Sequence, residues 1–240
     1  MSPGPVPCAA STLLTAMLDD SARTPLRLVV VARTSASTHY ATGRDDVPVL
    51  CMATTDAVRL PGSVLVPSVP GGPLRVADGR LADAARTWYV ARWWPPPRPR
   101  GLVPPPAPPL MPGVDTLGDL VPMELVGRGP GLTPSGDDVV AGALVAAHAT
   151  GHPCLPTWQE QTRAALRART TTPVSRGLLH HALDGHAVPE LAAFLAAVCA
   201  GETEPALARL LAVGHSSGAA LAAGALHALG THAAVRRAAA

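Results

Sequence analysis

The chain has 240 residues, enough to bury a sizeable hydrophobic core as one large domain or two modest ones. Its hydrophobic content of 48% is typical of a globular protein. A formal net charge of +2 with scattered arginines is too small for a nucleic-acid-binding surface, so we expect any acidic partner to be small and locally recognised.

The cysteines and the N-terminus indicate a reducing compartment. The four cysteines are far apart and form no Cys-x-x-Cys pair, so we expect them to be reduced and mostly buried. The first residues lack the basic start and apolar run of a signal peptide, and no apolar stretch approaches the roughly 18 residues that a membrane helix needs. We therefore expect a cytoplasmic protein without a membrane segment.

The first part of the chain has the pattern of short strands. Runs rich in valine and leucine, such as residues 26–33 and 47–53, alternate with turn residues, including the pair Asp78 and Gly79. We predict a β-rich domain over residues 1–95, built as a small antiparallel sheet or a partly open barrel.

The composition changes sharply after this region. Ten of the eighteen residues from Pro95 to Pro112 are proline, which favours an extended and stiff connector. From residue 113 onwards the pattern is helical almost throughout. The predicted fold class is therefore α+β: a β-rich domain (1–95), a Pro-rich linker (96–112) and a helical bundle domain (113–240).

The most informative stretch is residues 127–138, Gly-Arg-Gly-Pro-Gly-Leu-Thr-Pro-Ser-Gly-Asp-Asp, which we call the Gly-rich loop. A helical pattern rich in alanine, valine and leucine follows it to about residue 148. The first N–H groups of a helix have no partner within the helix and its dipole is positive at this end. The loop therefore suits an anionic group.

The adjacent acids of the Gly-rich loop have several possible roles. Asp137 and Asp138 could bind a cation, move a proton or cap the helix, and Ser135 with Asp138 also fits a capping box. The loop is not a Walker A motif, because the chain has no lysine, and its glycine spacing differs from the dinucleotide-binding fingerprint.

Two further segments carry hydroxyl side chains at predicted helix starts. One is residues 171–175, Thr-Thr-Pro-Val-Ser, which we call the Thr-rich segment, and the other is residues 214–218, Gly-His-Ser-Ser-Gly, which we call the Gly-His turn. A serine, His215 and Asp137 could also be drawn as a hydrolase triad, but no Gly-x-Ser-x-Gly elbow supports that interpretation.

Together the three segments resemble the AllH-like family, whose namesake is a subunit assigned to an oxamate carbamoyltransferase complex. The resemblance covers the C-terminal half of the chain in detail and the N-terminal half only in outline. It implies a subunit of a carbamoyltransferase-type complex in purine or allantoin nitrogen catabolism, with partner subunits and a small anionic substrate such as carbamoyl phosphate or oxamate. The alternative is a non-catalytic binding or scaffold subunit whose loops are structural.

The resulting candidate site has two groups of residues. Asp137, Asp138 and His215 are the catalytic candidates, and Mg²⁺ is the one cofactor that the acids would suit beside a phosphate. The amides of residues 129–136 and 215–218 are expected to cradle the anion. The candidate substrate-binding residues are Arg128, Gly129, Gly131, Thr133, Ser135, Gly136, Thr171, Thr172, Ser175, Ser216, Ser217 and Gly218.

Overall fold

A computed structural model describes residues 4–238 of the chain. The chain divides into two compact units, which we call the barrel unit, ending at Pro96, and the helical unit, beginning at Pro97. The barrel unit is rich in strands and the helical unit consists of helices and loops. The mixed content, with strands first and helices second, is as predicted.

The barrel unit contains eight strands that close on themselves in the order β1-β5-β4-β3-β2-β6-β7-β8. A short 3₁₀ turn and one helix, α1 (Thr15–Asp20), follow the first strand. The strands are β1 (Val6–Ser11), β2 (Leu26–Arg33), β3 (Ser37–Ala41), β4 (Val49–Ala53), β5 (Ser63–Leu65), β6 (Leu74–Ala77), β7 (Arg80–Ala82) and β8 (Thr87–Trp94).

The prediction of an antiparallel sheet or partly open barrel was wrong in two respects, because the barrel is closed and two of its strand pairs are parallel. Strand β1 pairs antiparallel with β5 on one side and parallel with β8 on the other, so it closes the barrel. A second parallel pair joins β4 to β5. The sequence of β1, Val-Pro-Cys-Ala-Ala-Ser, lacks the alternating β-branched pattern of a strand, so the closing element was not predicted.

The interior of the barrel is filled by large apolar side chains. Trp88 on β8 and Tyr40 on β3 are almost fully buried there, together with leucine, valine and methionine side chains. The aromatic cluster at the end of this unit is divided, because Trp88 packs inside the barrel whereas Tyr89 and Trp93 are exposed. Successive side chains on a strand point to opposite faces, so one lies inside the barrel and the next outside.

The helical unit is built from seven helices within the described residues. Three of these helices begin at Pro173, Pro189 and Ser217, and the last one is the longest. The helices are α2 (Pro122–Leu125), α3 (Ser135–Thr150), α4 (Leu155–Ala168), α5 (Pro173–Ala182), α6 (Pro189–Ala200), α7 (Glu204–Leu211) and α8 (Ser217–Ala238).

Helices α3 and α8 form the centre of this unit, and glycines set their separation. A Cβ atom on Gly142 of α3 would collide with the carbonyl oxygen of Leu221, and one on Gly224 of α8 would collide with that of Val139. The two backbones are therefore in direct contact. This close approach fixes the position of the N-terminus of each helix, which is where two of the three hydroxyl-bearing segments lie.

Helix α8 is also long and apolar enough to cross a membrane by length and composition. Its segment Ser217–Val235 has a mean hydropathy of 1.2, and 56% of it is buried inside the protein. The expectation that no apolar stretch approaches membrane length was wrong for this segment. Packing against α3 accounts for its apolar composition.

The Pro-rich segment that was predicted as a linker is extended and lies along the helical unit. The amide of Leu102 donates to the carbonyl of Ala149 at 2.8 Å, and the amide of Ala187 donates to that of Pro97 at 2.9 Å. The side chain of Arg98 donates to the carbonyl of Asp184 at 2.6 Å. These hydrogen bonds attach the segment from residue 97 onwards to the helices.

The contact between α3 and α8 gives a first prediction. Gly224→Ala should lower the free energy of unfolding by about 3 kcal/mol, because the added methyl forces the two backbones apart. Gly230→Ala, on the same helix, is the matched control, since its new methyl meets Pro108 Cγ at an ordinary 3.6 Å and alanine favours the helix. Urea denaturation should show a large loss for the first variant and no loss for the second.

Candidate functional site

The three hydroxyl-bearing segments, which are distant in sequence, meet in the helical unit. Thr133 of the Gly-rich loop and Ser217 of the Gly-His turn share a hydrogen bond of 2.8 Å between their hydroxyl oxygens. Thr171 of the Thr-rich segment donates to the Asp137 carboxylate at 2.5 Å, and Thr172 donates to the carbonyl of Leu132. The Gly-rich loop is therefore bonded to both other segments.

Asp137 holds this junction together. It is fully buried, and both of its carboxylate oxygens accept hydrogen bonds. Oδ1 accepts from the amide of Gly127 at 2.8 Å, and Oδ2 accepts from the hydroxyl of Thr171. Gly127 has a φ of 81° and lies directly against the backbone of Thr170, so only a glycine fits there. Both oxygens of Asp137 therefore help to hold the Gly-rich loop and the Thr-rich segment in place.

Asp138 has a different environment from its neighbour. The residue is 1% exposed, and its Oδ2 atom is buried without a hydrogen-bond partner. Burial raises the pKa of this carboxyl from 3.8 to about 7, while the hydroxyls of Ser217 and Thr133 act in the opposite direction and Asp137 adds to the rise. The structure thus places an acid able to gain or lose a proton near neutral pH beside two hydroxyl groups.

The capping box that Ser135 and Asp138 could form is not present at the start of α3. Pro134 occupies the N-cap position, Ser135 is the first helical residue, and no side chain caps the helix. The amides of Asp137 and Asp138 donate to the carbonyl of Pro134 at 2.9 and 3.2 Å. Since the backbone makes the cap, the two acids are not needed for it. Ser135 instead packs against Gly129, whose Cβ would lie 2.7 Å from the serine hydroxyl.

The predicted amide cradle is only partly available. The Gly136 amide donates to the carbonyl of Arg128 at 2.9 Å, and the Gly218 amide donates to that of Val213 at 2.9 Å. Both glycines are buried because the neighbouring backbone leaves no room for a side chain. Gly136 and Gly218 therefore serve the close packing of the helix starts, and their amides already have backbone acceptors. Their role in anion binding stays a prediction.

The remaining candidate site residues differ in how far they are exposed to solvent. Arg128, Gly129, Gly131, His215 and Ser216 are exposed around the junction. Thr172 caps α5 by accepting from the amide of Ser175 at 3.1 Å. The Ser175 hydroxyl is buried and has no hydrogen-bond partner, so it is a second unpartnered oxygen among the candidate residues.

The carboxylates of this site do not suit a protein-bound Mg²⁺. Both oxygens of Asp137 already accept hydrogen bonds from the protein, and Oδ2 of Asp138 is the one oxygen of the two acids that has no hydrogen-bond partner. Within residues 4–238 no group of three or more histidine, cysteine, aspartate or glutamate side chains is arranged to hold a metal. We therefore derive no step of the chemistry through a metal ion.

Comparison with protein families agrees with this part of the structure. The family model described as oxamate carbamoyltransferase subunit AllH matches residues 125–229. The helical unit contains an AllH-family region. The matched region begins in α2, includes all three hydroxyl-bearing segments and ends within α8. The sequence-based resemblance to the AllH-like family is thus confirmed over these residues. No solved structure matches the chain.

Sequence reasoning missed several features of the AllH region. It treated Asp137 and Asp138 as equivalent, because the backbone amide that occupies Asp137 lies ten residues away in a loop with no regular pattern. It also missed Arg169, an exposed arginine just before Thr170, whose backbone touches Gly127. The roles of the candidate residues in binding stay predictions.

Asp138 should make the stability of the protein depend on pH. Between 3.8 and about 7 the folded state holds this proton more tightly than the unfolded chain, so the stabilisation present at low pH is lost as the pH rises to about 7. Asp138→Asn removes this titration. The difference in the free energy of unfolding, variant minus natural protein, should therefore increase by about 3 kcal/mol as the pH rises from 5 to 8. Parallel stability curves for the two proteins would contradict the assignment.

Asp137 should stabilise the fold. Asp137→Ala leaves the Gly127 amide and the Thr171 hydroxyl without their acceptor, so the free energy of unfolding should fall by about 3 kcal/mol. Glu124→Ala, which removes an exposed carboxylate from α2, is the control and should change stability by less than about 0.5 kcal/mol. Equal effects of the two variants would show that Asp137 does not hold the junction.

Proposed function

We propose that the junction of the three segments binds a small anionic substrate for a carbamoyltransferase-type complex in purine or allantoin nitrogen catabolism. The substrates would be carbamoyl phosphate and an amide acid such as oxamate, in line with the family description of the matched region. The observation that carries the proposal is the unpartnered, buried carboxyl oxygen of Asp138 beside the hydroxyls of Thr133 and Ser217.

Positive charge next to the junction supports an anionic substrate. Arg128 follows Gly127 and Arg169 precedes Thr170, and the backbones of Gly127 and Thr170 are in contact. Both arginines are exposed, and within residues 4–238 the ion pairs lie in the barrel unit and involve neither of them. Two guanidinium groups are therefore free to bind a carboxylate or a phosphate.

The groups at the junction match the needs of carbamoyl transfer. The nitrogen of the amide acid forms a bond to the carbamoyl carbon, the bond from that carbon to the phosphate oxygen breaks, and phosphate leaves with the electron pair. Ionised Asp138 accepts the proton that the nitrogen loses. The hydrogen bond between Thr133 and Ser217 leaves one of their two hydroxyl hydrogens free, and this donor stabilises negative charge on the carbamoyl oxygen, an effect worth about 3 kcal/mol when it is well placed.

Partner subunits are part of this proposal. The family description names a subunit, so we propose that the chain acts in a complex with other proteins and in the cytoplasm. His215, at the exposed end of the Gly-His turn, is then placed to contact a substrate or a partner chain. The alternative function is a binding or scaffold subunit in which the junction is structural and the chemistry is performed elsewhere in the complex.

Ligand-dependent stability distinguishes the two functions. Oxamate, carbamoyl phosphate or phosphate should raise the melting temperature of the protein, because a ligand that binds only the folded state stabilises it by mass action. Thr133→Val with Ser217→Ala, which removes both hydroxyls, should weaken this response tenfold or more in ligand concentration.

The matched control is Thr116→Val with Ser68→Ala, two hydroxyl changes outside the junction. It should leave the ligand response unaltered. If none of these ligands shifts the melting temperature, with or without candidate partner subunits, the scaffold function is favoured. If the hydroxyl variants respond like the natural protein, binding occurs elsewhere.

A further inference from the structure

The inference concerns substrate selectivity and rests on the proposed function. Asp137 and Asp138 are adjacent acids on the first turn of α3, but only Asp138 has a buried oxygen atom without a hydrogen-bond donor. Both oxygens of Asp137 are occupied by the Gly127 amide and the Thr171 hydroxyl. Oδ2 of Asp138 is buried, has no partner, and belongs to a residue that is 1% exposed.

An unpartnered carboxylate oxygen in a buried position requires a hydrogen-bond donor. A ligand carboxylate or phosphate brings only acceptors to this atom and adds like charge, whereas the N–H of a primary amide supplies the missing donor. Oδ2 of Asp138 therefore complements the NH₂ end of a carboxamide and repels a carboxylate in the same position.

From this arrangement we infer that Asp138 is the specificity-determining residue that selects the amide end of the substrate over a carboxylate. Arg128 and Arg169 then select the opposite, anionic end of the same molecule. A short amide acid fits this polarity, because it has a donor group at one end and a negative charge at the other. A dicarboxylate of the same shape does not, because it presents two acceptors.

The pair oxamate and oxalate tests the inference, since the two differ only in NH₂ against O⁻. Calorimetric titration at pH 8, with candidate partner subunits present, should give at least a tenfold preference for oxamate. Asp138→Asn replaces the acceptor oxygen with an NH₂ donor, so this variant should lose the preference or bind oxalate more tightly. Glu124→Gln makes the same chemical change at an exposed site on α2 and should keep the natural preference.

A pH series provides a second readout that a structural role would not change. The preference of the natural protein for oxamate should fall as the pH drops below about 7, because burial raises the pKa of Asp138 to about 7. Protonation then removes the negative charge and turns one carboxyl oxygen into a donor, which oxalate can accept. The preference of Asp138→Asn should not follow this profile. The other ionisable groups near the site, Asp137, Arg128, Arg169 and His215, are common to both proteins, so their effects cancel in the comparison.

The outcomes separate this inference from the proposed function. Equal binding of oxamate and oxalate by the natural protein, unchanged in Asp138→Asn, overturns the selectivity of Asp138 but leaves the anion site in place. Absence of binding for both ligands overturns the proposed function and the inference with it. Melting curves of Asp138→Asn establish that the variant is folded. Because the variant is expected to be more stable than the natural protein at pH 8, a folding defect would be easy to detect there.

Discussion

The hydrogen bonds of the Asp137 carboxylate determine the arrangement of the helical unit's loops. One carboxylate oxygen binds a backbone amide of the Gly-rich loop and the other binds a hydroxyl of the Thr-rich segment, so a single side chain joins two distant parts of the chain to the start of α3. A charged acceptor makes stronger hydrogen bonds than a neutral one, and burial strengthens them further. The neighbouring acid, Asp138, differs because its Oδ2 atom is buried without a hydrogen-bond partner.

The close contact of α3 and α8 supplies the second constraint. Since glycines at positions 142 and 224 bring the two backbones together, the first turns of both helices are held by the packed interior of the unit and not by flexible loops. The hydrogen bond between Thr133 and Ser217 follows from that packing. A carboxyl group kept unpartnered at such a place lowers the stability of the fold, and functional sites often carry a cost of this kind.

The sequence predicted the helical unit better than the barrel. Prolines and glycines mark helix ends directly, so the helical character from residue 113 onwards is visible in the sequence, and the family resemblance led to the segments that meet at the junction. The closure of the barrel depended on β1, whose residues do not look like a strand and are held by partners on both sides. The difference between Asp137 and Asp138 arises from tertiary hydrogen bonds, which no local pattern encodes.

The pairing of β1 with β8 also has a consequence for how the barrel unit folds. The first strand is hydrogen-bonded to the last, with Val6 opposite Trp88, so the barrel cannot close until almost the whole unit has emerged from the ribosome. Contacts between residues so far apart in sequence form late, because the entropy of the intervening chain is lost before they can contribute. Until then β5 and β8 each have an edge without a hydrogen-bonded neighbour. Such edges can pair with strands of other chains, so the nascent chain is most prone to misassociation at this stage.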